Sequence, residues 1–417
     1  MDEFVIEGGR PLRGTVAVKG SKNAALPILI ATLLTDEPCV VENVPNSRDI
    51  RTTRRLLESL GKKISVHGTT LTVTADGPLK TAAPYDLVKQ MRASVLVSGP
   101  LLARFGGVRV PLPGGCAIGL RPVDIHLKAF EDLGAERIQS HGDVVLRAAR
   151  LRPGKVRLRF PSVGATQNIM MAAAALPGKT TLLNAAREPE MEDLGDFLAG
   201  LGAKVKGAGT PRVEITGSPR LHGTRHRVIP DRLEAGTFLL ACAAAGGSLR
   251  VKDARPEHLK ALLDKMRAAG IKIREERGAV VVTAAKRLKA VSIVTAPHPG
   301  FPTDLQPQWM TLMCLARGRS RISEKVFENR FLHAAELARM GARISVSGSD
   351  AVVEGVGRLA GAPVMASDIR AGAALLIAAL AAEGRSVVSR VYHIDRGHDH
   401  IEVKLRAAGA RIRRVHR

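Results

Sequence analysis

Residues 56–66 read LLESLGKKISV: apolar positions at helical spacing stop at Gly61, and strand-like alternation takes over. The same change of period recurs in AFEDLGAERIQ, FLAGLGAKVKG, DKMRAAGIKIR, ELARMGARISV and KLRAAGARIRR. The marking glycines, Gly61, Gly134, Gly202, Gly270, Gly341 and Gly409, lie 73, 68, 68, 71 and 68 residues apart. A fixed period of this length is the mark of one supersecondary unit used repeatedly. Each glycine sits where a helix ends and left-handed backbone is wanted.

Ahead of each marker lies a stretch that is apolar or small on nearly every side: NAALPILIATLL, MRASVLVSGPLLA, ATQNIMMAAAAL, GTFLLACAAA, QPQWMTLMCLA and GAALLIAALAA. A helix without a polar face is buried all round. A short β-rich run precedes it, at Thr15–Lys19 in the first copy, Val156–Phe160 in the third and Val291–Thr295 in the fifth. A second run follows it (CVVENV, VRVPLP, TTLLNA, SLRVKD, SRISEK, SVVSRV), then the amphipathic helix and two alternating strands. The predicted unit is β-α-β-α-β-β, an α/β fold with one helix buried, one half out, and the sheet outside. The sixth copy stops after one strand, Ala410–Val415, while the chain opens on an unassigned strand, Glu3–Gly8. Pairing these ends predicts a discontinuous first domain, 1–21 plus 230–417, and a second domain, 22–229, each with three copies. The 417 residues exceed what a single core usually supports.

Composition narrows the class. Hydrophobic residues make up 45% of the chain, enough for full-sized cores. The longest apolar run, Ala373–Ala382, is about half of a membrane span. The N-terminal MDEFVIEGGRPLRG lacks a signal-peptide pattern, so a cytoplasmic protein is expected. A net charge of +24 points to nucleic acid, an anionic surface, polyanionic small substrates, or simply a solvated basic surface. Aromatics at 3% leave few base-stacking platforms, which argues against nucleic acid.

Four cysteines without paired spacing suggest neither a disulfide framework nor a zinc site. Cys39, Cys242 and Cys314 lie in strand-like or buried helical runs and read as small hydrophobes. Cys116 lies in VPLPGGCAIGLRPVDIH, glycine-flanked, with Arg121 and a helix start at Pro122 just beyond. That setting suits a reactive thiol, and it suits a plain loop cysteine equally. The buried helices open on charge. Lys22 and Asn23 follow Ser21 at the first, an anion site by its free N–H groups, or in part a simple N-cap. Equivalent openings carry Arg92, Ser162–Gly164, Asp231–Arg232, Asp304 and Asp368–Arg370; second-helix openings carry Arg121 and Arg396. A cationic cleft with a few acids and one thiol suits phosphates and carboxylates, which arginine binds bidentately. The histidines of YHIDRGHDH lack metal-ligand spacing, no metal or cofactor is expected, and neither GxxxxGK[ST] nor G-x-S-x-G occurs.

Taken together, SKNAALPILIA, QMRAS, PGGCAIGLRPVDIHLKAFEDLGA, FPSVGAT, NAAREPE, IPDRLEAGTF, APHPGFPTDLQPQ, VFENRF, DIRAGAAL and YHIDRG resemble the UDP-N-acetylglucosamine 1-carboxyvinyltransferase family along essentially the whole chain. The resemblance implies two inside-out α/β domains, each with three-fold internal pseudo-symmetry. It implies transfer of the enolpyruvyl group of phosphoenolpyruvate to the 3′-hydroxyl of UDP-N-acetylglucosamine, the first committed step of peptidoglycan synthesis. Lys22 and Asn23 would hold phosphoenolpyruvate, with Arg121 on its phosphate side and Arg396 near its carboxylate. Arg92 would order the active-site loop and nucleotide; Arg121, Pro122, Val123, Asp124, Ile125, Phe160, Pro161, Ser162, Val163 and Val326 would line the sugar-nucleotide site. Asp304 would be the general base and Cys116 the general acid, with Asp368 and Arg370 as further members. The family's epoxide antibiotic fosfomycin alkylates this cysteine, so sensitivity is implied. The loop Pro113–Gly119 is expected to close over substrate.

The chain departs from the family pattern at Gln167, where an acid is expected, and at 397–400, where GHDH replaces an aromatic-acidic run. Its basic charge leaves room for weak association with anionic polymers or lipid, without an obligate nucleic acid or a membrane span. Two alternatives stand beside this reading. A 3-phosphoshikimate enolpyruvyl transferase shares the architecture but does not use the PGGC loop. A nucleic-acid-binding protein on a related scaffold rests on charge alone.

Overall fold

The computed structural model describes residues 2–112, 123–138, 140 and 142–416. The chain forms two compact units: one gathers the described residues up to Lys19 and from Pro230 onward, the other those between Gly20 and Ile229. Six sheets are present among the described residues, five of four strands and one of three, one to each sequence copy.

The third copy shows how the unit is built. Lys155–Arg157 pairs in parallel with Gly178–Leu183, and the buried helix Val163–Ala174 makes the crossover between them. The amphipathic helix Pro189–Gly200 then leads into the hairpin Lys204–Lys206 and Arg212–Gly217, whose second strand pairs antiparallel with Gly178–Leu183. Thr180 and Leu182 face inward along that strand while their neighbours face out, as expected of a sheet with one solvated face.

All six marker glycines adopt positive φ, from +88° at Gly270 to +107° at Gly202. In five copies the residue after the glycine donates its N–H to the carbonyl five residues back, as Ala203 does to Leu198 at 3.2 Å and Ala410 to Leu405 at 3.0 Å. This is the Schellman closure, which consumes carbonyls the helix end leaves open.

One strand does not sit where its sequence position suggests. The run heading the first copy belongs to the strand Leu12–Ala17, which pairs in parallel with Gly247–Lys252 of the fourth copy. Its place in the first sheet is taken by Arg225–Arg227, parallel to Cys39–Glu42. The reason is chain routing: Leu12–Ala17 precedes the crossing at Lys19–Gly20 and stays with the first unit. The strand Asp2–Glu7 lies between Arg385–Ser389 and Arg411–His416, supplying the strand the sixth copy lacks.

In the first unit the helices Arg232–Ala245, Gln306–Cys314 and Ile369–Ala381 pack on one another. Trp309 is fully buried among them, edge-on to Phe301 at 5.7 Å, its indole N–H donating to the Val291 carbonyl at 3.2 Å. In the second unit, Ser98–Phe105 packs on Val163–Ala174, and Lys22–Ala31 meets the 3-10 turn Arg92–Val97. Among the described residues no helix is long and apolar enough to cross a membrane.

Candidate active site

Each unit carries its own set of charged residues at helix openings. In the first unit Asp304 lies in the 3-10 turn Thr303–Leu305, directly before Gln306–Cys314. Its carboxylate is bracketed by arginines: Oδ1 accepts from Arg330 at 2.9 Å, and Oδ2 accepts from Arg370 at 2.9 Å. Both arginines are buried, at 3% and 6% exposure, so their charges are unscreened by water. Burial works against the Arg370 charge, but Asp304, Asp231 and Asp368 outweigh it and hold the guanidinium protonated.

Arg370 is placed by Asp368, the N-cap of Ile369–Ala381, whose Oδ1 accepts from the N–H groups of Arg370 and Ala371 at 2.8 and 3.1 Å. Asp231 caps Arg232–Ala245 in the same way. Arg396 follows the short helix Tyr392–Asp395. Next to it, Gly397 runs so close to Ile369 that a Cβ would meet its Cγ2 at 2.5 Å. Arg414 grips both oxygens of Asp395, at 2.6 and 3.0 Å, and reaches Glu402 at 3.1 Å, so it holds both flanks of the Arg396 segment. Val326 is fixed through its backbone N–H, which donates to Glu324 at 2.9 Å.

In the second unit Lys22 and Asn23 open the helix Lys22–Ala31, capped by the Ser21 hydroxyl, which accepts from the Ala24 N–H at 3.3 Å. Lys22 is buried and its ammonium donates to Asp49 at 3.2 Å, a carboxylate that offsets the unfavourable helix end beneath it. Ser162 caps Val163–Ala174, and Phe160 and Val163 are left partly exposed beside it at 40% and 37%. Asp124, in the first turn of Asp124–Glu131, pairs with Arg159; Val123 and Ile125 rest on the core. Pro161 lies half-buried between Phe160 and Ser162. Cys116, Arg121, Pro122 and the expected closing loop lie outside the described residues.

Sequence reasoning missed His126. It is buried, and its Nδ1 lies 2.9 Å from Asn168 Nδ2. The Asn168 amide is oriented by two backbone groups: Oδ1 accepts from Gly99 at 2.9 Å and Nδ2 donates to Val95 at 3.2 Å. Nδ1 of His126 therefore accepts, and the ring proton sits on Nε2. That edge faces Gly164 in the first turn of Val163–Ala174, where a Cβ would meet the ring at 3.0 Å. Burial, with Arg92 in the same sense and Asp124 opposing, pushes the imidazole pKa down to about 4. Arg330 was missed too, although it lies within VFENRF; an arginine in a motif reads as surface until its burial is known. Gln167 is buried inside its helix. Among the described residues no group of three or more His, Cys, Asp or Glu side chains is arranged to hold a metal ion.

A two-unit α/β repeat scaffold of this kind is shared with a solved enolpyruvyl transferase. The chain belongs to that family: the sequence model described as EPSP synthase (3-phosphoshikimate 1-carboxyvinyltransferase) matches residues 6–405. It is 52% identical over 418 residues to the UDP-N-acetylglucosamine 1-carboxyvinyltransferase of Endomicrobium trichonymphae, covering 100% of both chains. It is 54% identical over 417 residues to the protein of that name from Nitratidesulfovibrio vulgaris (strain DP4), covering 99% of each. Among solved structures, the enolpyruvyl transferase NikO from Streptomyces tendae superposes with a TM-score of 0.89 at 27% identity, covering 99% of each chain. An EPSP synthase from Acinetobacter baumannii superposes with a TM-score of 0.77 at 16% identity over 100% of both chains, a likeness of fold alone.

Proposed function

We propose that this protein transfers the enolpyruvyl group of phosphoenolpyruvate to the 3′-hydroxyl of UDP-N-acetylglucosamine, releasing phosphate, in the first committed step of peptidoglycan synthesis. The observation that carries the choice of acceptor is the 52–54% identity, end to end, to relatives bearing that name. The likeness to EPSP synthase structures, at 16%, supports the fold but not a shikimate acceptor.

The reaction needs a hydroxyl oxygen to attack the central carbon of phosphoenolpyruvate while the methylene carbon takes a proton. Asp304 receives the hydroxyl proton. Arg330 and Arg370 each donate to one of its oxygens and orient the carboxylate, and the proton passes to it as the C–O bond forms. Cys116 supplies the proton to the methylene carbon, giving a tetrahedral intermediate. Loss of a methyl proton then restores the double bond as the C–O bond to phosphate breaks. Lys22 and Arg121 hold the phosphate, Asn23 helps orient it, and Arg396 holds the carboxylate. Asp368 and Arg370 keep Asp304 in register. The nucleotide rests against Arg92, Pro122–Ile125, Phe160–Val163 and Val326. No cofactor is required, because the leaving phosphate is already installed on the substrate. Both substrates are cytoplasmic metabolites, and the enzyme is assigned to the cytoplasm with them.

Phosphate release from phosphoenolpyruvate, measured with UDP-N-acetylglucosamine and separately with shikimate 3-phosphate, tests the acceptor. Release that requires the sugar nucleotide supports the proposal, and release with shikimate 3-phosphate moves the protein to the sister activity.

A further inference from the structure

We infer that Glu324 is a positioning residue that locks the sugar-nucleotide contact Val326 and the base Asp304 into one frame; the inference rests on the function proposed above. Glu324 follows the strand Arg319–Ser323 and is 2% exposed. Its carboxylate accepts four hydrogen bonds. Oε1 takes the Thr295 hydroxyl at 2.8 Å and the N–H groups of Val326 and Phe327 at 2.9 and 3.1 Å. Oε2 takes the Thr303 hydroxyl at 2.9 Å, one residue before Asp304. A buried carboxylate is costly unless its lone pairs are filled, and here neutral donors from three separate segments fill them.

The internal repeat shows that the fold does not require an acid at this position. The residue directly after the second strand is Asn43 in the first copy, Asn184 in the third, Asp253 in the fourth and Arg390 in the sixth, all with φ of 55–58°. Asn43 and Asn184 each donate through Nδ2 to the carbonyl at the end of the neighbouring parallel strand, Val228 and Leu158, at 2.9 Å. In the fifth copy the neighbouring position is Thr295, and Glu324 binds its hydroxyl, so the strand-to-strand tie is kept. Glu324 abandons the left-handed turn and extends the tie to Thr303 and to the 326–327 backbone. The fifth copy is the one that carries Asp304. Leu112, at this position in the second copy, also lacks the left-handed turn; what marks the fifth copy is the acid, whose added bonds run to the neighbour of the proposed catalytic base and to the sugar contact.

The test is steady-state kinetics on the full chain, with KM for each substrate read separately from kcat, and a melting curve for every variant. Glu324→Ala should lower kcat by roughly 10- to 100-fold and raise the UDP-N-acetylglucosamine KM, leaving the phosphoenolpyruvate KM unchanged. Glu324→Gln keeps an acceptor for Thr295, Val326 and Phe327 and can donate to the Thr303 hydroxyl, so it should restore kcat to within about 3-fold of wild type. Thr303→Val cuts only the arm toward Asp304 and should lower kcat with the sugar KM unmoved; it keeps the test valid if Glu324→Ala does not fold. An active wild type whose Glu324→Ala and Thr303→Val variants lose melting temperature but keep kcat and both KM values would overturn the inference alone. A wild type inactive with UDP-N-acetylglucosamine would overturn the proposed function and the inference with it.

Discussion

The Arg370 guanidinium and the Asp304 carboxylate, 66 residues apart in sequence, meet at 2.9 Å. With Arg330 on the other oxygen, the arrangement fixes the carboxylate plane. Two consequences separate. Asp304→Asn keeps the shape but cannot take a proton, and kcat should fall about 10²- to 10⁴-fold, with a part of the stability lost because its NH2 now faces an arginine donor. Asp304→Ala leaves two buried arginines facing each other and should in addition destabilise the first unit by about 3 kcal/mol. Kinetics and denaturant titration on both variants read the two effects independently.

The thiols should differ sharply in reactivity. Cys39, Cys242 and Cys314 are buried, and burial pushes the thiols of Cys242 and Cys314 up to about 12. A thiol that far above neutral pH presents almost no thiolate. Fosfomycin and a small alkylating reagent should each add once to the native protein, at Cys116, whereas the unfolded chain should take up four of the general reagent. Intact-mass and peptide-mass measurements count the additions; modification of any other cysteine in the native state would contradict the assignment.

How much of this was legible in the sequence depends on whether a feature is periodic. The α/β repeat was legible because each copy spells its own helix stop: Gly61 through Gly409 all adopt the positive φ their positions imply. The partner of Leu12–Ala17 was not, because a parallel strand carries no local mark of which neighbour it joins. Charged residues at helix openings, such as Lys22, Asp304 and Arg370, stood out against apolar helices that leave them unexplained. Arg330, His126 and Glu324 did not, since their significance lies in burial and in partners 21 to 42 residues away.

The marker glycines give a direct test of the backbone argument. Gly341 has φ of +93° and open space where a Cβ would stand, so Gly341→Ala should cost about 1 kcal/mol from strain alone. Activity should be unaffected. A neutral or stabilising result in thermal unfolding would contradict the reading of these glycines as helix stops.

Acid should weaken both units through buried imidazoles. His126 and His333 are held neutral, burial pushing each to about 4 from an ordinary 6.5. Between those values the unfolded chain binds a proton that the folded chain refuses, so stability is intact above about pH 6.5 and falls as pH drops toward 4. Each shift corresponds to about 3 kcal/mol at full protonation. Unfolding midpoints measured from pH 7 to 4.5 should decline, and His126→Gln, which can still accept from Asn168, should flatten the decline by about one proton. An unchanged slope would mean that His126 titrates normally.

The most direct measurement of the central claim is mass spectrometry of the product formed from phosphoenolpyruvate and UDP-N-acetylglucosamine in D₂O. Addition–elimination through a protonated methylene predicts a UDP-N-acetylglucosamine adduct carrying the enolpyruvyl group, with solvent deuterium in its vinyl carbon. Absence of the adduct would contradict the assigned acceptor, and an adduct free of deuterium would contradict proton delivery to that carbon.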